Sequence, residues 1–353
     1  MTFQNTLFAG DNLLVKFPRP QYLGSKYLLN EWIFTYVPDG VSTVLDGFSG
    51  SNAVSFEFKK RGYTTITNDI MKFASNIGLA LVENKDTILT NEDIVFLTNN
   101  QNNKKQNLMQ VFANIFFTED ECCFLDNFRA NVNLLTCHMK KAMALTIINR
   151  ALTKKTTMGH FAHTRAIAYA NDAERVKRNA SIAKSIKDLF LNLVEDYNNA
   201  VFDNGKQNKS YDQNILELIP KLKNIDLAYF DPPYVGSHSD YQSFYHLLET
   251  YTQYWHDKDF INGTKRYHPF IKTNFENISE SEKSFNELFY LSKNIPIWLI
   301  SYNDRSRPSP EDMLQILKKF KKNVEVKHKT YLNSRGGKGS VQGSKELLFV
   351  CCD

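Results

Sequence analysis

Near the start of the chain, hydrophobic and polar positions alternate in a strand, turn, helix rhythm. Thr43-Val44-Leu45-Asp46-Gly47-Phe48 predicts a strand, followed by a glycine-broken turn and an apolar helix from Ala53 to Arg61. Thr64-Thr65-Ile66-Thr67-Asn68-Asp69 predicts a second strand, with another helix starting near Met71. This alternation is the pattern of parallel βαβ units. It stops at about residue 85. From there to about 220 no buried strand is convincing and helical patterns take over, interrupted by the polar tract Asn99-Asn100-Gln101-Asn102-Asn103-Lys104-Lys105, which reads as a loop. One helix there is clear: Ala183, Ile186, Phe190, Leu193 and Tyr197 recur at spacings of three and four, with Asn171 or Asp172 as candidate caps. The strand signal resumes in Asp226 to Asp231 and Ile295 to Ser301, and Asn323 to Leu332 with Glu346 to Cys351 predicts a terminal antiparallel pair around the Gly336-Gly337 turn.

The expected architecture is therefore an α/β sheet domain split by an insertion: a first part over 1–85, a mainly helical insertion over 86–222, and a second part over 223–353. A length of 353 residues suits two such units. A doubly wound sheet binds ligands outside the carboxyl ends of its strands, where the strand order reverses. Phe48 to Asn52, Asp69 and Asp231 to Tyr234 should then meet in one crevice.

Composition narrows the class. At 42% hydrophobic and 23% charged the chain is an ordinary soluble globular protein. A mean hydropathy of −0.41, with apolar runs no longer than Ile295 to Ile300, leaves no membrane-spanning helix, which needs about 20 such residues. Met1-Thr2-Phe3-Gln4-Asn5 lacks the basic and apolar regions of a secretory signal, so a cytoplasmic enzyme is expected. The five cysteines include two adjacent pairs and no C-x-x-C, which indicates neither a disulfide framework nor a metal site; Cys351 and Cys352 close an apolar run and read as strand residues.

The most specific chemical signal is Asp231-Pro232-Pro233-Tyr234. Such a string can simply end a strand and open a surface loop. At the carboxyl end of a buried strand, however, the prolines fix φ and restrict the residue before them, making a rigid turn in the ligand crevice. That turn can aim one side-chain carboxylate and one backbone carbonyl at the same amino group.

With two further motifs in order, the chain resembles the Dam-like, alpha-group DNA adenine-N6 methyltransferases, which use S-adenosylmethionine (AdoMet) and include type II restriction-modification methylases. Tyr22-Leu23-Gly24-Ser25-Lys26 is similar to the family's aromatic-x-G-x-K segment, Asp46-Gly47-Phe48-Ser49-Gly50 to its D/E-x-F-x-G turn, and Asp231 to Tyr234 to its catalytic DPPY. Asn68-Asp69-Ile70 stands where the family keeps an acidic residue after the second strand, and Ser301-Tyr302-Asn303 follows a later strand as in several relatives. The resemblance covers about residues 17–85 and 225–350. It departs at Asn52, where the family usually has a second glycine; Asn tolerates positive φ better than other residues with a side chain.

The resemblance implies a Rossmann-like AdoMet-dependent sheet with an inserted target-recognition domain. In that reading Gly47 and Gly50, with Phe48, Ser49 and Asn52, bring backbone amides to the methionine carboxylate. Asp69 accepts from the ribose hydroxyls, and Ile70 beside it belongs to the cofactor site. Tyr22, Lys26 and Asp46 complete the cofactor site, and Asp231 lies between cofactor and target. Gly24 to Lys26 as a bare helix start, and Asp69 as a bare turn residue, remain open. The implied reaction moves the AdoMet methyl to adenine N6, with the Asp231 carboxylate and the Pro232 carbonyl accepting the two amine hydrogens. Tyr234 would stack on the base once it is flipped from the duplex.

The net charge of +5 says little until it is divided along the chain. Between His138 and Lys187 lie eleven basic and two acidic residues, a net of +9, so the remainder carries −4. Clustered charge of this kind suits phosphate neutralisation. At its centre Lys154 to Arg165, with Gly159 as a hairpin tip, is expected to enter a groove: Lys154 and Lys155 on phosphates, His160 or Arg165 on base edges, with Arg175 and Lys177 nearby. A solvated basic helix-loop-helix without a partner is the alternative. His160 and His163 lack a third ligand nearby, so no metal is expected.

The aromatic segment from Gly236 to Asn262 reads equally well as a cover over the flipped base or as an ordinary helix with an apolar stripe. Double-stranded DNA is the expected partner, with a cognate restriction endonuclease in the same system and no contact with it implied. An RNA adenine-N6 methyltransferase and a catalytically silent DNA-binding relative are the alternatives. The intact Asp231 motif argues against silence, and an Asp rather than Ser there argues against methylation of cytosine N4.

Overall fold

The computed structural model describes residues 14–19, 21–100, 108–156, 161, 166–233, 241–255, 259–267, 274–277, 279–330 and 345–353. Seven strands form one sheet: β1 (Thr43–Asp46), β2 (Thr64–Asn68), β3 (Lys209–Tyr211), β4 (Leu227–Phe230), β5 (Ile297–Asn303), β6 (Asn323–Thr330) and β7 (Lys345–Cys352). Their order across the sheet is β3-β2-β1-β4-β5-β7-β6. The first five are parallel, and β7 runs antiparallel between β5 and β6. From β1 the chain builds outward through β2 and β3, then returns to lay β4 and β5 on the other side. The order therefore reverses between β1 and β4, the place where such sheets open a ligand crevice.

Both faces are covered, as the near-continuous apolar strands require. Period-two alternation sends Val44, Leu227, Tyr229 and Leu299 to one face, against Leu29, Ile33, Val54 and Phe58. Leu45, Ala228, Phe230, Trp298 and Ile300 go to the other, against Phe285, Leu288 and Phe289 of the helix Ser281–Ser292 and Met313 and Ile316 of the helix Pro310–Leu317. In the helix Ala53–Lys60, Val54 and Phe58 face the sheet while Phe56 joins a third, larger cluster. That cluster runs from Phe73 and Leu81 through Leu125 and Phe128 to Ile186, Phe190, Tyr245 and Tyr251. The helices of the long middle segment thus share one continuous apolar core with the helices that follow β1 and β2.

Two expectations shift. The strand β3 lies inside the segment expected to be helical; it is three residues long, polar and at most partly buried, so it has no apolar run to announce it. The helix Ile186–Asn198 is capped by Ser185, whose hydroxyl accepts from the Asp188 amide at 3.0 Å. Asp172 instead caps the short helix Ala173–Arg178, and Ala183 ends a separate 3-10 turn. The long polar tract falls largely on 101–107 and the Gly336-Gly337 turn on 331–344, outside the described residues. Among the described residues no helix is long and apolar enough to cross a membrane.

Candidate active site

A cleft opens at the carboxyl ends of β1, β2 and β4, the place where such sheets bind ligands. Tyr22, Lys26, Asp46 to Gly50, Asp69, Ile70, Asp231 and Pro233 line it. The motifs widely separated in sequence therefore converge.

The turn after β1 is shaped by its neighbours. Gly47 donates its amide to the Tyr229 carbonyl at 3.0 Å, and a Cβ there would come within 2.9 Å of the Phe230 ring. Gly50 sits at φ +46°, where a Cβ would meet the Tyr22 ring at 3.0 Å. Both glycines let aromatic rings close on the turn. Asn52 adopts the left-handed conformation, φ 59°, but its side chain turns away from the cleft. It donates to the Gly50 and Ala74 carbonyls at 3.3 and 2.9 Å and accepts from the Thr67 hydroxyl at 2.8 Å. Its side chain ties the turn to β2 and the helix Lys72–Gly78. Gly78 makes room for this arrangement, since a Cβ would lie 2.8 Å from Asn52 Oδ1.

Asp69 accepts backbone amides of Gly50 and Met71, both at 2.8 Å, and so locks the turn onto the end of β2. Burial pushes its carboxyl up to about 6 against the pull of those amides. Asp46, more deeply enclosed, is pushed by burial up to about 7 although the Ser55 hydroxyl donates to it at 2.6 Å. Among the described residues Asp46 Oδ1 and Ser49 Oγ are buried without a hydrogen-bond partner. Two unsatisfied polar oxygens on the wall of a cleft suit a ligand carrying amine or hydroxyl donors, which an AdoMet-type molecule has.

Lys26 does something the sequence did not suggest. Its ammonium reaches Asp231 Oδ2 at 2.8 Å, Glu346 Oε1 at 3.3 Å and the Gly24 carbonyl at 3.1 Å. Burial alone would lower its pKa; the Asp231 and Glu346 carboxylates more than reverse that, holding it well above the ordinary lysine value. Lining the cleft as expected, Lys26 also pins with its ammonium the carboxylate at the end of β4. Behind it Tyr229 and Ser301 share a hydrogen bond of 2.8 Å. Pro232 is buried and Pro233 partly so; Tyr234 lies outside the described residues.

The helix Tyr241–Gln253 forms the aromatic wall. Tyr245 stacks on Tyr22 at 4.7 Å between centroids, and its hydroxyl accepts the Leu23 amide at 2.6 Å. Glu249 accepts the amides of Lys72 and Phe73 at 2.9 and 3.0 Å, and burial pushes it up to about 7. Tyr251 donates to the Leu125 carbonyl, while the Arg129 guanidinium donates to the Tyr251 and Thr252 carbonyls. Tyr245, Leu247, Leu248 and Tyr251 are buried. Over these residues the segment is a packed helix, and Tyr241 and Gln242 at its start line the cleft.

The basic candidates separate by environment. Lys155 is buried, paired with Glu121 at 2.8 Å and donating to the Lys184 carbonyl at 2.9 Å, so it is not available to a phosphate. The cause is the close approach of the helices Glu119–Leu134 and His138–Lys154 around it. Lys154 is half-buried, and burial followed by the nearby Arg150 lowers its pKa. Arg175 pairs with Asp172 at 3.4 Å and lies over the Tyr169 ring, while Lys177, Arg178, Lys184 and Lys187 are exposed. His160, His163 and Arg165 lie outside the described residues.

Glu346, Glu249, Gln213 and Asn214 were not among the residues expected at the site. The last two line the cleft after β3, and Gln213 exchanges hydrogen bonds with Asn68. A charged residue opening the apolar run of β7 was the one available sign of Glu346.

Residues 22–302 match the family model of the D12 class N6 adenine-specific DNA methyltransferases. The chain is 33% identical over 341 residues to the type II methyltransferase M2.HphI of Haemophilus parahaemolyticus, an alignment covering 95% of this chain and 98% of that protein. It is 27% identical over 326 residues to the modification methylase StsI of Streptococcus sanguinis and 26% over 330 residues to the type II methyltransferase M.FokI of Planomicrobium okeanokoites. In these two the match covers 46% of the relative's length, so the chain spans about half of each.

Proposed function

The chain belongs to the D12 class N6 adenine-specific DNA methyltransferases, and from that premise we propose that Asp231 is the centre of the reaction and the cleft at β1, β2 and β4 its AdoMet site. The activity is adenine-specific DNA methylation of the kind that serves type II restriction-modification. The observation that carries the reading is Asp231 at the carboxyl end of a buried strand, facing the cleft with Oδ2 held at 2.8 Å by Lys26.

When bound, AdoMet supplies an electrophilic methyl group on a sulfonium. Asp46 and Ser49 offer it their unsatisfied oxygens, the Gly47 to Gly50 turn its backbone, and the Tyr22 ring an apolar wall. The exocyclic amine of adenine is a poor nucleophile because its lone pair is delocalised into the ring. Asp231 and the Pro232 carbonyl accept its two hydrogens, which favours tetrahedral nitrogen and stabilises the positive charge developing there. No strong base is required. Because the base must leave the duplex to reach Asp231, Tyr234 stacks against it and offsets part of the unstacking cost.

The helical segment within 86–222 supplies target recognition, with Lys154 and the exposed Lys177 as phosphate contacts and Arg175 beside them. The protein acts in the cytoplasm on double-stranded DNA and protects it from a cognate endonuclease without contacting that enzyme. Transfer of labelled methyl from AdoMet to duplex DNA tests the reading. Label should appear as N6-methyladenine and fall at least about 100-fold in Asp231→Asn. A dominant preference for structured RNA, or near wild-type transfer by Asp231→Asn, would overturn it.

A further inference from the structure

The carboxyl edge of the sheet carries exposed cations beyond Asp231 that the long helical segment does not supply. After β5 the chain turns through Asp304, Arg305, Ser306, Arg307 and Pro308 with alternating burial: both arginines are exposed, while Ser306 and Pro308 are buried. The turn is held from inside. Asn303 Oδ1 accepts the Arg305 amide at 2.9 Å, the Asn303 carbonyl accepts the Ser306 amide at 3.2 Å, and the buried Tyr302 hydroxyl donates to the Pro308 carbonyl at 2.7 Å. Beside it, the Asp304 amide donates to the carbonyl of Lys345, a third exposed cation, which opens β7. The turn's own carboxylate, Asp304, has Oδ1 buried. Among the described residues no carboxylate forms an ion pair with Arg305, Arg307 or Lys345.

The place of this rim relative to Asp231 follows from the register. β4 and β5 run parallel and end at the same edge, and β7 starts there, with Glu346 opposite Asn303. Glu346 meets Lys26 at 3.3 Å, and Lys26 meets Asp231 at 2.8 Å. Only β5 separates β4 from β7, so the two strands lie about 10 Å apart. A duplex advances that far in about three base steps. The long helical segment packs with Phe56 and Phe73, from the helices that follow β1 and β2, so Asp231 stands between that segment and the rim.

We propose that Arg305, Arg307 and Lys345 form a second DNA contact surface, binding backbone phosphates within a few nucleotides of the extruded adenine. This rests on the reading of Asp231 as the reaction centre. Each arginine offers five N–H donors in a planar fork that matches a phosphate, and the braced turn fixes where the forks stand. Contacts to phosphate set the register of the duplex without reading its sequence. With the basic helical segment on one side and the rim on the other, the strand is held on both sides of the base that leaves the stack.

The test is the salt dependence of duplex binding by the full chain, followed by the anisotropy of a labelled duplex over roughly 50–200 mM salt. Arg305→Gln/Arg307→Gln should lower the slope of log affinity against log salt by about two, and Lys345→Gln by about one. Single arginine replacements, at about one unit each, serve if the double variant does not fold. Arg305→Lys/Arg307→Lys keeps both charges and should keep the wild-type slope. Lys322→Gln removes an exposed cation at the opposite edge, where β6 begins, and should leave the slope unchanged. An unchanged slope in either glutamine variant of the rim, an equal fall in Lys322→Gln, or a fall in the lysine variant as large as in the glutamine one overturns the proposal. A wild-type chain that binds the duplex but transfers no labelled methyl to it would instead overturn the reading of Asp231, with the slopes still measurable.

Discussion

A glycine in place of Asn52 would keep the left-handed backbone and lose three side-chain hydrogen bonds. Asn52→Gly should therefore lower stability by about 1–3 kcal/mol, and Asn52→Ala by a further 1–2 kcal/mol or so, because a Cβ in that conformation is strained. Urea midpoints should rank wild type above Asn52→Gly above Asn52→Ala; equal midpoints for wild type and Asn52→Gly would show that the side-chain network contributes nothing. Residues at strand ends were the legible ones: Asp231, Asp69, Gly47 and Gly50 each follow a buried run, and a run that ends at the crevice places its next residue there. What Lys26 touches was not legible, because Glu346 reaches it only through the pairing of β5 with β7. The turn of the Asn52 side chain depends equally on distant packing, with Thr67 and Ala74 as its partners.

The helix Tyr241–Gln253 couples the segment after Asp231 to the helix Lys72–Gly78 through Glu249, which accepts the first amides of that helix. Burial raises Glu249 from its ordinary 4.5 to about 7 in the folded chain. A folded value above the unfolded one means that the stabilisation is complete below about 4.5 and is lost as pH rises through about 7. Asp46 and Asp69, raised to about 7 and about 6, act in the same direction. The melting temperature of the ligand-free protein should fall between pH 5 and pH 8, and Glu249→Gln should fall less steeply while being less stable than wild type at pH 5. Parallel pH profiles for the two would contradict this assignment. At this scale periodicity recovered the long buried elements, including the helix from Ile186 and the terminal strand pair. It missed β3, whose three polar residues are fixed by the neighbouring β2 and by Asn208 and Glu83 rather than by any apolar pattern of their own.

Across the whole molecule the basic excess between 138 and 187 is less uniform than its sum of +9 suggests. Lys155 and Lys140 answer internal carboxylates, Glu121 and Asp93, while Lys177, Arg178, Lys184 and Lys187 face solvent. Two adjacent lysines should therefore behave oppositely. Lys155→Ala leaves Glu121 uncompensated in a buried setting and should cost about 3–5 kcal/mol of stability, read by chemical unfolding. Lys154→Ala should leave stability nearly unchanged and reduce the salt slope of DNA binding by about one; an unchanged slope and affinity would remove it from the phosphate contacts. Charge counting along the sequence located the basic region but not which charges were taken, since pairing follows helix packing. The central claim, methylation of adenine N6 at a defined DNA sequence through Asp231, is tested most directly in a host free of DNA methylation. The chain and its Asp231→Asn variant are expressed there and modified bases are mapped by single-molecule sequencing. N6-methyladenine should recur at one sequence with the wild-type chain and vanish with Asp231→Asn; no modified adenine with the wild type, modified cytosine in its place, or an undiminished pattern in the variant would contradict it.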